Sequence, residues 1–440
     1  MFLYPYLFAA SLTFGMATAQ QASSFNLEPQ LAEKYGCGSD CQVVLSQANA
    51  MDLQSFGPTF DFDFYATAPT FACSKPGAML KVEAVYDLDV ALPANASVYR
   101  IQYTSEDLDG SKVPATGYII LPDVSGPANL VAFAHGTAGV FRGCAPSNSP
   151  NLYRGAETWT DLVSAGYAIV ATDYVGLGNN HTEHKYVSHA AHANDIIYAV
   201  KAARKRFPGR VSKEWVALGH SQGGGAVWKL SEHKLLQGED SGYLGGVALA
   251  PAALKLYNTI RETVDYMRNS SNPDQDAAML GSAAQLVIGI QNVFPDYDPY
   301  WLADGLRQRT EMSHIGQYCV TAMSSLGVGL KLSEILTTFD VSRDTELQEF
   351  QNINAPGQRT ASTPLFVAHG LADMIAPVTG TLDTFQDSCG QNVGNPVKLK
   401  LYPGLDHDTV IAAAAEEWME FIKLRFAHAP FGKGCSQSMA

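Results

Sequence analysis

The segment Gly219-His220-Ser221-Gln222-Gly223 sets a hydroxyl between glycines placed two residues to either side. Ahead of it stands the apolar run Trp215-Val216-Ala217-Leu218, and behind it a helical pattern runs from Gly224 through Val227, Leu230 and Leu235. Strand, G-x-S-x-G and helix in that order describe a strained turn that exposes a serine oxygen, with glycines that let the chains approach closely. The helix N-terminus beyond it favours developing negative charge. The pentapeptide alone is a weak signal, and its flanks make it specific. A Gly-rich turn without chemistry is the bland alternative.

A serine in this setting is a nucleophile only if a histidine takes its proton and a carboxylate orients that histidine. Their chain order on such a scaffold is Ser, Asp or Glu, His. Asp373 follows the run Pro364-Leu365-Phe366-Val367-Ala368 in the turn His369-Gly370-Leu371-Ala372-Asp373, which puts it at the carboxyl edge of a sheet. His407 follows Lys398-Leu399-Lys400-Leu401-Tyr402 and the turn Pro403-Gly404-Leu405-Asp406. With eleven histidines in the chain, position carries this choice rather than identity. His369 is the main rival base, but it precedes Asp373 and breaks the order. Asp406 and Asp408 rival Asp373, yet they flank the histidine in sequence.

The oxyanion formed on attack needs backbone N–H donors, one of them from the residue after the nucleophile, Gln222. A second is expected from His135-Gly136-Thr137-Ala138-Gly139, the loop after Leu130-Val131-Ala132-Phe133-Ala134. Thr137 is the preferred donor, with Gly136 as the other possibility.

These groups need a scaffold, and from about residue 99 short β-branched runs alternate with amphipathic stretches, as in βαβ units around a mostly parallel sheet. Strands are predicted at Tyr99–Thr104, Thr116–Leu121, Leu130–Ala134, Ala168–Thr172, Trp215–Leu218, Gly246–Leu249, Pro364–Ala368 and Lys398–Tyr402. Several are apolar throughout, as strands covered on both faces should be. Helices are predicted over Asp195–Phe207, stopped by Pro208-Gly209, and as one long run from about Asp408 to Phe426. Between Ala250 and Pro356 the alternation is lost. There, Asn272-Pro273-Asp274 is a plausible helix start before the apolar stretch Leu280–Ile290. The region reads as a helical insertion capping the core.

With 440 residues, 46% of them hydrophobic, the chain can bury a large core. Its net charge of −14 argues against a nucleic-acid partner, which requires clustered Lys and Arg. Residues 2–16 form an uncharged apolar run ending at Ala17-Thr18-Ala19, the pattern of a signal peptide cleaved before Gln20. That run is shorter than the roughly 20 residues a bilayer span needs. Seven cysteines, at 37, 41, 73, 144, 319, 389 and 435, suit an oxidising compartment and leave one thiol over after three bridges. Sequons at Asn95, Asn180 and Asn269 could carry glycans if the chain is secreted. His181, His184, His189 and His192 lack the spacing of a zinc site and read as a polar loop near the mouth of the site. Gly176-Leu177-Gly178 lacks a third glycine at position 181, and no G-K-[ST] is present, so no cofactor and no metal is expected.

The runs His135-Gly136-Thr137, Cys144-Ala145-Pro146-Ser147, Asp173-Tyr174-x-Gly176-Leu177-Gly178 and Gly219-His220-Ser221-Gln222-Gly223-Gly224 together resemble the fungal secretory lipase family, the Candida lipase A-like α/β-hydrolases. The likeness covers most of the chain after residue 19. It implies a triad matching Ser221, Asp373 and His407, a helical lid inserted before the acid, and bridges Cys144–Cys319 and Cys389–Cys435. It offers no partner for Cys37, Cys41 or Cys73. The implied organisation is a signal peptide over 1–19, an N-terminal arm over 20–98, an α/β-hydrolase core over 99–250 and 357–440, and a cap over 251–356. The implied activity is serine carboxylester hydrolysis by a secreted monomer acting on a small-molecule or lipid ester, with transient contact to a lipid interface. Similar proteins deacylate fungal secondary metabolites such as trichothecene esters, which is the alternative reading. A serine peptidase is a third, because the same triad can cleave amides.

Overall fold

The computed structural model describes residues 21–440, except residues 94, 154–157, 270, 272–276 and 362. The signal-peptide expectation for residues 1–19 and the helix start at Asn272-Pro273-Asp274 lie outside the described residues. No helix among those described is long and apolar enough to cross a membrane.

Among the described residues ten strands form one sheet: β1 (Met79–Val85), β2 (Ser97–Glu106), β3 (Lys112–Leu121), β4 (Ala128–Ala134), β5 (Ala168–Thr172), β6 (Val211–His220), β7 (Tyr243–Leu249), β8 (Leu365–Gly370), β9 (Val397–Tyr402) and β10 (Ser436–Met439). Their spatial order is β1-β2-β3-β5-β4-β6-β7-β8-β9-β10. From β5 to β10 every pairing is parallel, while β1, β2 and β3 join antiparallel. This is the α/β-hydrolase architecture, a mostly parallel sheet flanked by helices. The central strands are apolar and buried along most of their length because both faces are covered. Their alternate residues divide between two clusters, with Leu130, Ala132, Trp215, Ala217 and Val367 on one face and Val131, Phe133, Val216, Leu218 and Phe366 on the other.

Helix α1 (Ser39–Phe56) lies in the N-terminal segment. On the first sheet face pack α2 (His189–Arg206) and α3 (Gln222–Ser231). Between β7 and β8 the described elements are helical, among them α4 (Leu256–Asn269), α5 (Ala283–Gln291), α6 (Asp304–Gly316) and α7 (Thr345–Asn354). Past β8 come α8 (Val378–Gln391), α9 (Thr409–Ala413) and α10 (Ala415–Phe426), the last two covering the second face. The helix predicted over Asp408–Phe426 is therefore two helices. Ala414 takes φ −88° and ψ 1°, which turns the axis, and the Trp418 indole donates back to the Ile411 carbonyl at 3.1 Å.

The inserted helices and the N-terminal segment share a third apolar cluster, in which Leu45, Phe56 and Tyr65 meet Leu306, Met323 and Leu326. The Asp52 carboxylate of α1 accepts from the N–H groups of Thr321 and Ala322, both at 3.0 Å, and so caps a short helical turn of the insertion. Cys144 and Cys319 are bridged, joining the chain after β4 to the insertion, and Cys389 and Cys435 are bridged beside β9 and β10. A third bridge joins Cys37 to Cys41, and Cys73 is free and exposed.

Candidate active site

The serine sits where β6 ends and α3 begins. Ser221 has φ 56° and ψ −118°, a conformation a non-glycine residue adopts only when its surroundings enforce it. The enforcement is visible around it: the Ser221 N–H donates to the Leu249 carbonyl at 2.9 Å, and its own carbonyl accepts from Gly225 and Ala252. A β-carbon on Gly219 would overlap the Gly223 carbonyl, and one on Gly223 would overlap the Ala134 carbonyl. Both glycines are thus required by backbone contact across the turn. The first N–H groups of α3, beginning with Gln222, are those a helix leaves without an internal partner, and they face the serine's end of the helix.

Asp373 and His407 leave the same sheet edge from β8 and β9. His407 Nδ1 lies 2.7 Å from Asp373 Oδ2, and the other carboxylate oxygen accepts from the N–H groups of Ile375 at 2.9 Å and Ala376 at 2.8 Å. Burial raises the carboxyl's proton affinity, but the hydrogen bonds and charge of His369 and His407 outweigh it and hold Asp373 below the usual carboxylate range. Asp373, His407 and Ser221 retain 4%, 5% and 9% of their exposure, so the group is largely shielded from water. The Ser221 hydroxyl makes no hydrogen bond to His407 among the described residues, and such catalytic contacts commonly tighten only with substrate in place. The His220 ring lies 4.7 Å from that of His407 and its Nε2 is 3.0 Å from the His407 carbonyl, which ties the nucleophile's strand to the histidine's turn.

The rival residues are otherwise engaged. Asp406 Oδ1 accepts from the N–H groups of Asp408 and Thr409 and from the Thr409 hydroxyl, closing the turn before α9. Asp408 is half exposed and 4.0 Å from His220 Nε2. His369 is fully buried behind Asp373.

The loop after β4 reaches the serine through Gly136, on which a β-carbon would stand 3.5 Å from Ser221 Cβ. Thr137, next in the chain, is held from both sides: its carbonyl accepts from the Tyr153 hydroxyl at 2.6 Å, and its hydroxyl lies 2.9 Å from that of Tyr186. Neither tyrosine carries a sequence signal, since their partners are remote in the chain. Below the loop, the His135 carbonyl accepts from the Tyr174 hydroxyl at 2.9 Å. The buried Asp173 carboxyl accepts from Ser147 and Thr116, and burial pushes its pKa up to about 6.

His184, His189 and His192 do not form a polar loop at the mouth. They are fully buried, with Tyr174 and His192 stacked at 4.2 Å and the rings of His184 and His192 at 5.4 Å. Only His181 of the four is exposed. Burial drives His184 down to about 3 and His189 to about 4, so both are neutral, and His184 Nδ1 donates to the Val175 carbonyl, leaving Nε2 to accept from the Gln222 amide at 3.4 Å. No group of three or more potential ligands is placed to hold a metal ion among the described residues. Asn95, Asn180 and Asn269 are all exposed.

The sequence profile of the family described as secretory lipase matches residues 157–434. The chain belongs to the secretory lipase family. As a secretory lipase it is a carboxylic ester hydrolase of the lipase/esterase class. Its similarity to curated members is modest in identity and broad in extent. Lipase 6 of Candida albicans is 26% identical over 415 residues, spanning 87% of this chain and 85% of that one, and Lipase 9 of the same organism is 22% identical over 352 residues, spanning 75% and 74%. The fold of this secretory lipase is similar to Candida antarctica lipase A, with TM-score 0.67 at 15% identity over 86% of this chain and 88% of that one. It is also similar to a rice cell wall degrading esterase from Xanthomonas oryzae, with TM-score 0.63 at 18% identity over 80% and 98%.

Proposed function

We propose that this secretory lipase cleaves esters through an acyl-enzyme on Ser221, with His407 as general base and Asp373 holding the imidazole. The observation that carries this reading is the 2.7 Å hydrogen bond between Asp373 Oδ2 and His407 Nδ1 at the sheet edge where Ser221 is held in its strained turn. That bond fixes the tautomer with the proton on Nδ1 and leaves Nε2 free to take the serine proton. Ser221 Oγ attacks the ester carbonyl as its proton passes to Nε2. The tetrahedral oxyanion is met by the Gln222 N–H and by an N–H of the Gly136-Thr137 segment, for which Thr137 remains the choice because both its carbonyl and its hydroxyl are anchored. Collapse expels the alcohol, which takes the proton from Nε2. Water, deprotonated by His407, then releases the acid and restores Ser221.

Secretion is part of the same proposal, supported by the family's name, by the apolar leader and by three disulfides that would be lost in a reducing compartment. The substrate is a lipid or other small-molecule ester, and the helical region between β7 and β8 is the cap over its site. Reaction of the purified protein with a fluorophosphonate, followed by peptide mapping, tests the reading. The adduct is expected on Ser221, and an adduct elsewhere, or none in an enzyme that still hydrolyses nitrophenyl butyrate, would overturn it.

A further inference from the structure

Asp373 is approached by two imidazoles. Besides His407, the fully buried His369 places Nε2 3.1 Å from the same Oδ2. That nitrogen also lies 2.8 Å from the Ala376 carbonyl. His369 Nδ1 is 2.9 Å from the Thr381 hydroxyl of α8. The pattern is self-consistent for a neutral ring: Thr381 donates to Nδ1, and the single ring proton on Nε2 is shared between Ala376 and Asp373. Ala376 is thereby held at both ends, its carbonyl by His369 and its N–H by Asp373 Oδ1.

We propose that His369 is a positioning residue for the esterase reaction, acting through Asp373 on His407. This rests on the triad reading above. The relay from Thr381 through His369 fixes the rotation of the Asp373 carboxylate. By drawing on the charge of Oδ2 it also limits how firmly that oxygen holds a protonated His407. The other charged or titratable groups facing the pair are Asp406, whose field reaches Asp373, and His220, which lies against His407 with Asp408 beyond it. Loss of His369 removes one of the two imidazole contacts to Oδ2 and leaves the one from His407.

His369→Phe keeps a ring of similar size and removes both nitrogens, Thr381→Val removes only the hydroxyl, and His369→Gln can restore an N–H near the Nε2 position. The expected result for His369→Phe is a fall in kcat of about 10-fold with KM within about twofold, and an acid limb of kcat/KM displaced to higher pH by about half a unit or more. Thr381→Val should move the limb in the same direction by less, and His369→Gln should recover most of the wild-type profile. A merely structural role would lower the melting temperature and the active fraction but leave the limb in place. Wild-type limbs in folded His369→Phe and Thr381→Val protein overturn the proposal. If His369→Phe does not fold, the limb of Thr381→Val decides alone. Ser221→Ala is run beside them: an active Ser221→Ala protein refutes the triad itself, whereas an inactive one with unmoved limbs refutes only the part assigned to His369.

Discussion

Gly223 lies so close to Ala134 that a β-carbon on the glycine would overlap the Ala134 carbonyl oxygen, which belongs to the neighbouring strand and cannot swing aside. The contact presses the start of α3 against the end of β4, bringing the serine turn and the loop after β4 together. Gly223→Ala should therefore separate them. The expected outcome is a loss of stability of about 1–3 kcal/mol together with a fall in fluorophosphonate labelling larger than the unfolded fraction explains, measured by thermal melting and probe kinetics on the same sample.

Asp373→Asn tests the charge rather than the shape of the site. Asn retains an oxygen and an amide, but the histidine loses the anion that stabilises its protonated form and fixes its tautomer. By analogy with the loss of the acid in serine-protease triads, kcat should fall by about 10⁴-fold while the fold persists. Activity within tenfold of wild type would place the acid elsewhere.

Stability should decline in acid, and the sign follows from the buried imidazoles. His135, His189 and His233 are depressed to about 4 and His184 to about 3 by burial, and His192 and His314 are lowered in the same direction. Below the unfolded value of about 6.5 the unfolded chain takes up protons that the folded protein refuses, so stability falls as pH drops from there toward 4. Burial also raises Asp173 to about 6 and Asp195 and Glu232 to about 7, with Asp52 raised as well. These work in the opposite direction, costing stability as pH rises from the carboxylate range through 6 to 7. Six groups against four leave the histidines dominant below pH 6. A melting temperature that rises steadily as pH is lowered from 7 to 4 would contradict this balance.

The Cys144–Cys319 bridge closes a span of 175 residues and sits against Gly139, at the end of the loop proposed to meet the oxyanion. Replacing both cysteines by alanine should cost about 2–5 kcal/mol and lower kcat more than KM, because the loop loses an anchor while the rest of the site stays in place. Unchanged kcat in a destabilised double variant would show that the bridge serves stability alone.

Substrate breadth separates lipase from metabolite esterase. On the lipase reading, the rate on long-chain esters rises sharply when substrate passes from solution to emulsion. A strict preference for acetyl esters of one bulky alcohol, with no such rise, would favour the secondary-metabolite reading.

The eight strands read from the sequence are all present, some longer than predicted, because central strands covered on both faces are continuous apolar runs. The two edge strands gave no such signal. β10 is Ser-Gln-Ser-Met and fully exposed, and β1 is only half-buried along its length, so neither carries a burial pattern that periodicity can detect. At the site, the turns after β6, β8 and β9 could be ordered along the chain, and those turns bear Ser221, Asp373 and His407. What stayed hidden depends on partners far apart in sequence: Tyr153 and Tyr186 on Thr137, Thr381 on His369, and the stacking that turns His184 and His192 into core residues. The Cys37–Cys41 pairing was likewise open, since connectivity among cysteines is not encoded in their spacing.

Asp52 and the apolar cluster around it set a rule for recombining this protein with its relatives. The carboxylate of α1 has its two backbone donors in the insertion, and Leu45, Phe56 and Tyr65 complete a cluster whose other half is Leu306, Met323 and Leu326. A chimera that imports a foreign segment over 251–356 alone would strand a buried acid and expose half an interface. The helical residues from Leu45 to Tyr65 and those from Leu306 to Leu326 pack as two halves of one cluster, so a change of substrate preference grafted through the insertion should bring its own amino-terminal half with it.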